Sequence, residues 1–522
     1  MGIIVFFVAL LVVVMEQQKA AQKKRIKEAY TFNKKRVQGS ARFATNDDLE
    51  KAGLFKRIGI FIGFSPDGRR KLFLNSAGHF LVVAGARTGK LVTLLVSAIL
   101  TLPRKISLAV FDPKAEIVCI VGHFLKACGR DVYVVNPFGI LLDRMKGLKQ
   151  ATFNPMASLD PKSRSFHADC DKLADAICLE EGHTSDPHWI TSAGILISGV
   201  IAALARHGTP VEKTFVALRN VITGANGESI YDFCREAMRS SDPFIRQKLA
   251  RFAAPKAEEN KELNSIVSTA DTQTAFIGNQ AIAECLKGGA NEVSCRKLKR
   301  DAGTVIFTCL PLDKLPVSKK FFRVMAASMI SDTLNEGLRG KGARVLAVFD
   351  EVAQIGPLKI LTDSLGMAAG SASLQFMLIY QNVGQMMAQF GQNNFQTAVA
   401  NSSAAAYFGI RDPQSAAFVS TQCGLTEVLS QSRSVTIDIH TGEPVVNDSG
   451  TQTARPLLHP DEVRFGLRDD EMLLFCDGVP AVIRAKRKPY FRCPGVRGYR
   501  ENPYYQKQSG ALFSSLFSWL FE

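Results

Sequence analysis

The chain has no C-x-x-C pair, and its eleven cysteines, scattered from Cys119 to Cys493, are odd in number. This excludes a paired-cysteine zinc site and a disulfide frame, and fits buried thiols in a reducing compartment. The eight histidines form no metal-ligand spacing. Their nearest approach, His183 and His188 with Asp186 in "HTSDPHW", reads as a loop-to-helix boundary. No Lys or Arg precedes the apolar run "GIIVFFVALLVVVM" (residues 2–15), and no small-x-small site follows it, which argues against a secretory signal. Internal repeats are also lacking. Acids are in deficit, with 48 Asp and Glu against 64 Lys and Arg, a net charge of +16. That balance favours an anionic partner, nucleic acid or lipid.

What is present is enough apolar sequence, 46% of 522 residues, for a large core and roughly two or three domains. As a helix, residues 2–15 would be ~21 Å long against a hydrocarbon core of ~30 Å, short for a span. The following "KAAQKKRIKEAYTFNKKR" carries eight basic residues, Lys19 to Arg36, against the single acid Glu28. A basic cluster beside an apolar segment marks the cytoplasmic side. The expectation is an inner-membrane anchor with the bulk of the chain cytoplasmic.

From His79 the pattern is α/β. "HFLVVAG", "ISLAVFDPK" and "DVYVVNPFG" are apolar runs followed by helical stretches, as in parallel strands buried on both faces. Lys90 to Leu102 reads as the helix behind the first run. From about Pro187 to Arg300 helix formers dominate. Strand signals resume with "GTVIFTCLP", "ARVLAVFDE", "LQFMLIYQN" and "AAAYFGI", and "MLLFCDGVPAVIRAKRKPYFR" reads as a hairpin turning at Asp477-Gly478. The expected fold is a RecA-like P-loop α/β domain with a parallel-rich central sheet, an inserted all-α domain and a short N-terminal membrane helix. The expected division is 1–38 anchor and basic segment, 39–186 with 301–500 nucleotide-binding domain, 187–300 all-α insert, and 501–522 tail. In the tail, Phe513, Leu516, Phe517 and Leu520 have helical spacing; docking to a partner or membrane, packing on the chain itself, and a poorly ordered end all stay open.

"VVAGARTGKLVT" is the first chemical signal. It sits between a strand and a helix, as a P-loop requires. The candidate nucleotide-binding residues are Ala84, Gly85, Ala86, Arg87, Thr88, Gly89, Lys90 and Leu91. Backbone N–H groups would face the phosphates and the Lys90 ammonium would reach the β- and γ-phosphates. Two positions depart from the pattern. Ala84 replaces the first Gly, tolerable if its φ is negative. Leu91 replaces the hydroxyl residue and cannot ligate Mg²⁺, so a water would take that place. "RVLAVFDEV" is the second signal, a Walker B strand. Its Asp350 is the candidate to hold the Mg²⁺ water shell, and Glu351 to polarise the attacking water. Gln381, at the tip of the next apolar strand, is placed to sense the γ-phosphate.

On "GSARFAT", "AGARTGK", "FDPKAE", "DVYVVNPFG", "DPHW", "FDEVAQIG" and "ANSSAAAYFGIRDP", the chain resembles the TraG-like coupling ATPases of type IV secretion and conjugation. The resemblance spans roughly Gly39 to Tyr499. It implies an anchored RecA-like motor with an inserted all-α domain, binding ATP and Mg²⁺ and forming a homo-hexamer at the inner membrane. Its implied partners are type IV secretion channel components and a relaxase–DNA complex or effector proteins. By position it makes Lys90 the phosphate lysine, Asp350 and Glu351 Walker B, and Gln381 the sensor. The family more usually has Gly at position 91. It commonly has an Arg before the sensor strand, where this chain has "GMAAGSASLQ"; Arg87 and Arg411 are the candidates to substitute. A relative that recruits substrate with weak or no hydrolysis is therefore the alternative. A DNA translocase of the chromosome-segregation kind would leave "GSARFAT" and "DPHW" unexplained. The basic runs 19–36 and "CRKLKR" (295–300) are candidates for lipid, DNA or protein contact.

Overall fold

The apolar runs assemble into one mixed sheet in a computed structural model that describes Glu16 and residues 39–505 except 180–186, 312, 338–341, 372 and 438–443. The strands are β1 (Ile60–Phe64), β2 (Lys71–Leu74), β3 (His79–Ala84), β4 (Ile106–Asp112), β5 (Val132–Val135), β6 (Lys149–Gln150), β7 (Val305–Cys309), β8 (Arg344–Phe349), β9 (Leu374–Tyr380), β10 (Ser402–Phe408), β11 (Leu425–Ile437), β12 (Pro444–Pro456), β13 (Glu471–Cys476) and β14 (Ile483–Lys486). Twelve of them form the sheet, in the order β2-β1-β14-β13-β10-β3-β9-β8-β4-β7-β5-β6. From β10 to β6 every pairing is parallel; from β10 to β2 every pairing is antiparallel.

The inner parallel strands are mostly apolar, as suits strands covered by helices on both faces. β3, β4, β7 and β9 are buried at every residue. Each buried Val, Leu, Ile or Phe contributes roughly 1.5–3 kcal/mol. Phe111 on β4 and Phe349 on β8 stack at 4.3 Å across one register pair.

Between β6 and β7 the described residues form helices and turns, apart from an isolated Thr152–Glu292 bridge. Local chemistry starts these helices. Thr214, Ser229, Asp242, Asn260 and Asn279 each cap one, the side chain accepting a first-turn N–H, an arrangement typically worth about 1 kcal/mol. The helix His188–His207 is long and apolar enough to cross a membrane, but most of it is buried against helices Phe166–Ile177, Pro243–Ala253 and Lys261–Thr274. It is a core helix.

The chain divides into two compact units. The larger holds the sheet and these helices, Ala44–Ser415 with residues from Leu467 onward. The smaller comprises the described residues among Met1–Phe43 and Ala416–Gly466. In it β11 and β12 pair antiparallel from Leu425–Pro456 to Ile437–Pro444. The N–H of Ala41, in "GSARFAT", donates to the Leu425 carbonyl at 2.8 Å.

The structure departs from the sequence reading in several places. β1, β2, β6, β11 and β12 are not anticipated. The helix expected from Lys90 begins as a π turn, Leu91–Leu95, before Val96–Leu100. The basic run 295–300 is not an open patch. Arg296 lies 3.6 Å from Asp332, Arg300 2.7 Å from Glu336 and Lys297 3.3 Å from Asp301, while buried Lys299 donates to the Ala343 carbonyl. The expected anchor (2–15), the basic stretch 19–36, His183 with Asp186, and the tail 506–522 lie outside the described residues. His188 faces Glu262 at 3.3 Å.

Candidate nucleotide site

The C-terminal ends of β3, β9, β8, β4 and β10 share one edge of the sheet, the usual place for a ligand crevice in an open α/β fold. β9 lies between β3 and β8, so Gln381 comes between the Gly-rich loop and the acidic strand end. Its N–H donates to Gln385 Oε1 at 2.8 Å.

The loop leaves β3 at Ala84, which is fully buried and has no positive φ. The methyl at the first-Gly position is thus accommodated. Left-handed backbone occurs at Arg87, φ 60°, and at Gly89, φ 80°. Thr88 Oγ1 closes the turn on the Gly85 carbonyl at 2.7 Å. A Cβ at Gly85 would lie 2.4 Å from the Gly409 carbonyl, so the loop following β10 backs this one. Leu91 opens the π turn and packs partly buried on the core; it offers no hydroxyl.

The structure brings Lys90 to both acids. Its Nζ lies 3.7 Å from Asp350 Oδ1 and 3.6 Å from Glu351 Oε1. Lys90 Nζ and Asp350 Oδ1 are buried and, among the described residues, have no hydrogen-bond partner. A cation and a carboxylate oxygen with open valences, side by side at the mouth of a Gly-rich loop, fit a polyphosphate carrying a divalent cation. Mg²⁺ usually keeps several waters and takes only one or two carboxylates alongside phosphate, so Asp350 is a sufficient protein donor.

Glu351 stands in left-handed backbone, φ 63°, with its carboxylate bonded by Gln354 Nε2. Strain of this kind costs of order 1–3 kcal/mol and persists where surroundings over-determine it. Those surroundings are buried Arg323, donating to the carbonyls of Ile355 and Pro357, and Gln389, donating to the Gly356 carbonyl at 2.6 Å.

Two further acids, given no role from the sequence, join the site. Asp112 ends β4 beside Asp350, whose N–H donates to the Phe111 carbonyl. Its carboxylate accepts the N–H groups of Glu116 at 3.1 Å and Val118 at 2.9 Å. Burial pushes Asp112 up to about 7, against the Val118 N–H, and the Asp350 charge adds to the rise. Burial likewise pushes Asp350 up to about 6, opposed by Lys90 and reinforced by Glu351. Glu116, raised by burial, is held by the Asn502 side chain. The available signal was "FDPKAE" itself, an acid ending an apolar strand with another one helical turn on.

With this geometry in view, comparison with known proteins is specific. The family model described as "Type IV secretory system Conjugative DNA transfer" matches residues 19–512. The conjugal transfer protein TraG of Agrobacterium fabrum is 25% identical over 445 residues, covering 83% of this chain and 64% of its own length. The type IV secretion system-coupling protein VirD4 of Bartonella quintana is 24% identical over 421 residues, covering 79% and 63%. The chain thus spans less than two thirds of these relatives. Among solved structures, unbound TrwBdeltaN70, a bacterial conjugative coupling protein, superposes with a TM-score of 0.64 at 17% identity, covering 88% of this chain and 95% of that one. TrwB in complex with the ATP analogue ADPNP gives 0.63 at 17% identity, covering 90% and 96%; TrwB has also been solved with ADP and Mg²⁺.

Proposed function

Since the chain belongs to the type IV secretory system conjugative DNA transfer family, we propose that it is an inner-membrane coupling ATPase. In this reading it recruits relaxase–DNA complexes or effector proteins and delivers them to a type IV secretion channel. The observation that carries it is the Lys90 ammonium 3.7 and 3.6 Å from Asp350 and Glu351, with Lys90 Nζ and Asp350 Oδ1 buried and without a hydrogen-bond partner among the described residues. ATP with Mg²⁺, when bound, supplies the phosphoanhydride whose hydrolysis drives transport. The amides from Gly85 to Lys90 and the Lys90 ammonium would hold the phosphates, and Asp350 would hold the metal. Glu351 takes the proton of the attacking water, and Gln381 hydrogen-bonds at the γ-phosphate position. The nucleotide complexes of TrwB support this ligand choice. The proposal includes a homo-hexamer, an anchor within residues 1–38, and a helical lobe of residues 187–300 inserted in the nucleotide-binding fold.

The test is steady-state ATP hydrolysis by the full chain in detergent, with and without DNA, beside Lys90→Ala. Wild-type turnover that Lys90→Ala loses supports the motor. A wild type that binds ATP but turns over no faster than Lys90→Ala supports the second reading, recruitment with little hydrolysis. That reading is favoured by the absence of Lys or Arg in "GMAAGSASLQ" (residues 366–375), since a charge delivered in trans accounts for about 10³–10⁵ in rate where it operates.

A further inference from the structure

Behind the Gly-rich loop lies a buried cation that no motif announces. Arg487, just after β14, is 6% exposed. Its Nη1 donates to the Thr88 carbonyl at 2.9 Å and to Thr93 Oγ1 at 3.1 Å. Its Nε donates to the Glu471 carbonyl at 3.2 Å and its Nη2 to the Asp469 carbonyl. The guanidinium carbon stands 4.0 Å over the Phe408 ring. Among the described residues it has no carboxylate within ion-pair distance; its hydrogen-bond partners are three carbonyls and a hydroxyl. Burial lowers its pKa to about 10, against the nearby Asp469 and Asp470 charges, so it stays charged at neutral pH.

We propose that Arg487 is a positioning residue for the bound triphosphate, clamping the Thr88–Gly89 peptide of the phosphate loop from behind. The inference rests on the nucleotide-site reading above. Its basis is the planarity of the peptide bond. The Thr88 carbonyl and the Gly89 N–H belong to one trans peptide and point in opposite directions. A donor fixed on the carbonyl therefore turns the Gly89 N–H away from Arg487. Because that donor is charged, its bond is about twice as strong as a neutral one, and it polarises the peptide so that the N–H donates more strongly. Thr93 extends the clamp into the π turn. Its hydroxyl accepts from Arg487 and donates to the Gly89 carbonyl at 2.9 Å, so both carbonyls flanking the Gly89 N–H are held. Without a contacting carboxylate, the Arg487 guanidinium also contributes positive charge behind the loop, which favours an anion in front of it. In a loop whose Leu91 brings no hydroxyl, this is a second source of anion affinity, and it comes from the far end of the chain.

The experiment is equilibrium binding of a fluorescent ATP analogue with Mg²⁺ to the full chain, with thermal melting in the presence and absence of ATP. Arg487→Met is expected to weaken binding about 10- to 100-fold, with Arg487→Lys, which keeps the charge, recovering part of the loss. Thr93→Val is expected to weaken binding about three- to tenfold. Wild-type affinity in a folded Arg487→Met protein overturns the proposal. So does a lower melting temperature of the nucleotide-free protein with an unchanged increment from ATP, the mark of a merely structural residue. Should Arg487→Met not fold, Thr93→Val decides: at least threefold weakening supports the clamp and unchanged affinity overturns it. Lys90→Ala keeps the two readings apart. If it binds as tightly as wild type, the nucleotide-site reading has failed; if it loses binding and the Arg487 and Thr93 variants do not, only the clamp has.

Discussion

Gly409 and Thr88 are packed so closely that a Cβ on Gly409 would sit 2.2 Å from Thr88 Cγ2. Gly409 also has a φ of 58°, a conformation that L side chains adopt at a cost. The chain leaving β10 thus forms the back wall of the Gly-rich loop. Gly409→Ala is expected to push Thr88 forward and weaken ATP binding by about tenfold or more, with a stability loss of about 1–3 kcal/mol. Nucleotide titration and a denaturant midpoint measure the two effects; unchanged affinity would mean that the wall does not shape the loop.

Glu351→Gln separates binding from chemistry. The amide keeps the size of the side chain and its contact with Gln354 but cannot take a proton. Hydrolysis should fall by about 10²–10⁴, while ATP affinity stays near wild type. Single-turnover hydrolysis beside a binding isotherm gives both numbers. Equal loss of both would assign Glu351 to holding the loop after β8.

Arg87 occupies left-handed backbone, φ 60°, with its side chain exposed. Glycine relaxes that conformation, and Arg87→Gly is expected to raise stability by about 0.5–1 kcal/mol. If the guanidinium serves phosphate chemistry in place of the Arg missing before β9, hydrolysis should fall at least about tenfold. Chemical denaturation and an ATPase assay on the same preparation test this. Higher stability with undiminished turnover would remove Arg87 as the substitute.

Glu471 supplies a pH-dependent term at the sheet end that carries Arg487. Burial pushes its carboxyl up, but the Arg468 N–H and the Arg484 and Lys486 side chains outweigh that and hold it at about 2, below the ordinary 4.5. A depressed carboxyl contributes stability that is fully present above its unfolded pKa and is lost as pH falls through the folded one. Glu471→Gln should therefore cost ~2 kcal/mol at pH 7, less than the ~3–5 of a fully buried pair because Arg484 is partly exposed. The gap between wild type and variant should close as pH drops from about 4.5 toward 2. Urea midpoints across that range check it, and a constant gap would contradict the assignment.

Local sequence was sufficient for much of this. Val82, Val83, Leu346 and Leu378 lie in runs apolar enough to declare buried strands. The helix formers between Pro187 and Arg300 declare a helical region, and Gly89-Lys90, Asp350-Glu351 and Gln381 stand at strand ends where chemistry gathers. These features depend on side-chain periodicity, helix propensity and backbone freedom within a few residues, which is why they are legible in one dimension. β1 and β2, short and next to the "PDG" turn, and the Ser- and Thr-rich β11 and β12 carry too weak a periodicity to declare themselves.

Other features were decided by the tertiary structure alone. β9 lies between β3 and β8, which brings Gln381 between the loop and the acids. Asp112 and Glu116 join Asp350, the "CRKLKR" run spends its charge on Asp332, Glu336 and Asp301, and Arg487 reaches the loop from the other end of the chain. Each of these is a pairing between distant segments. Strand adjacency depends on how the crossovers wind, and the charge of a buried group depends on what faces it. No local pattern records either, because the free energy that selects them comes from closing the whole sheet.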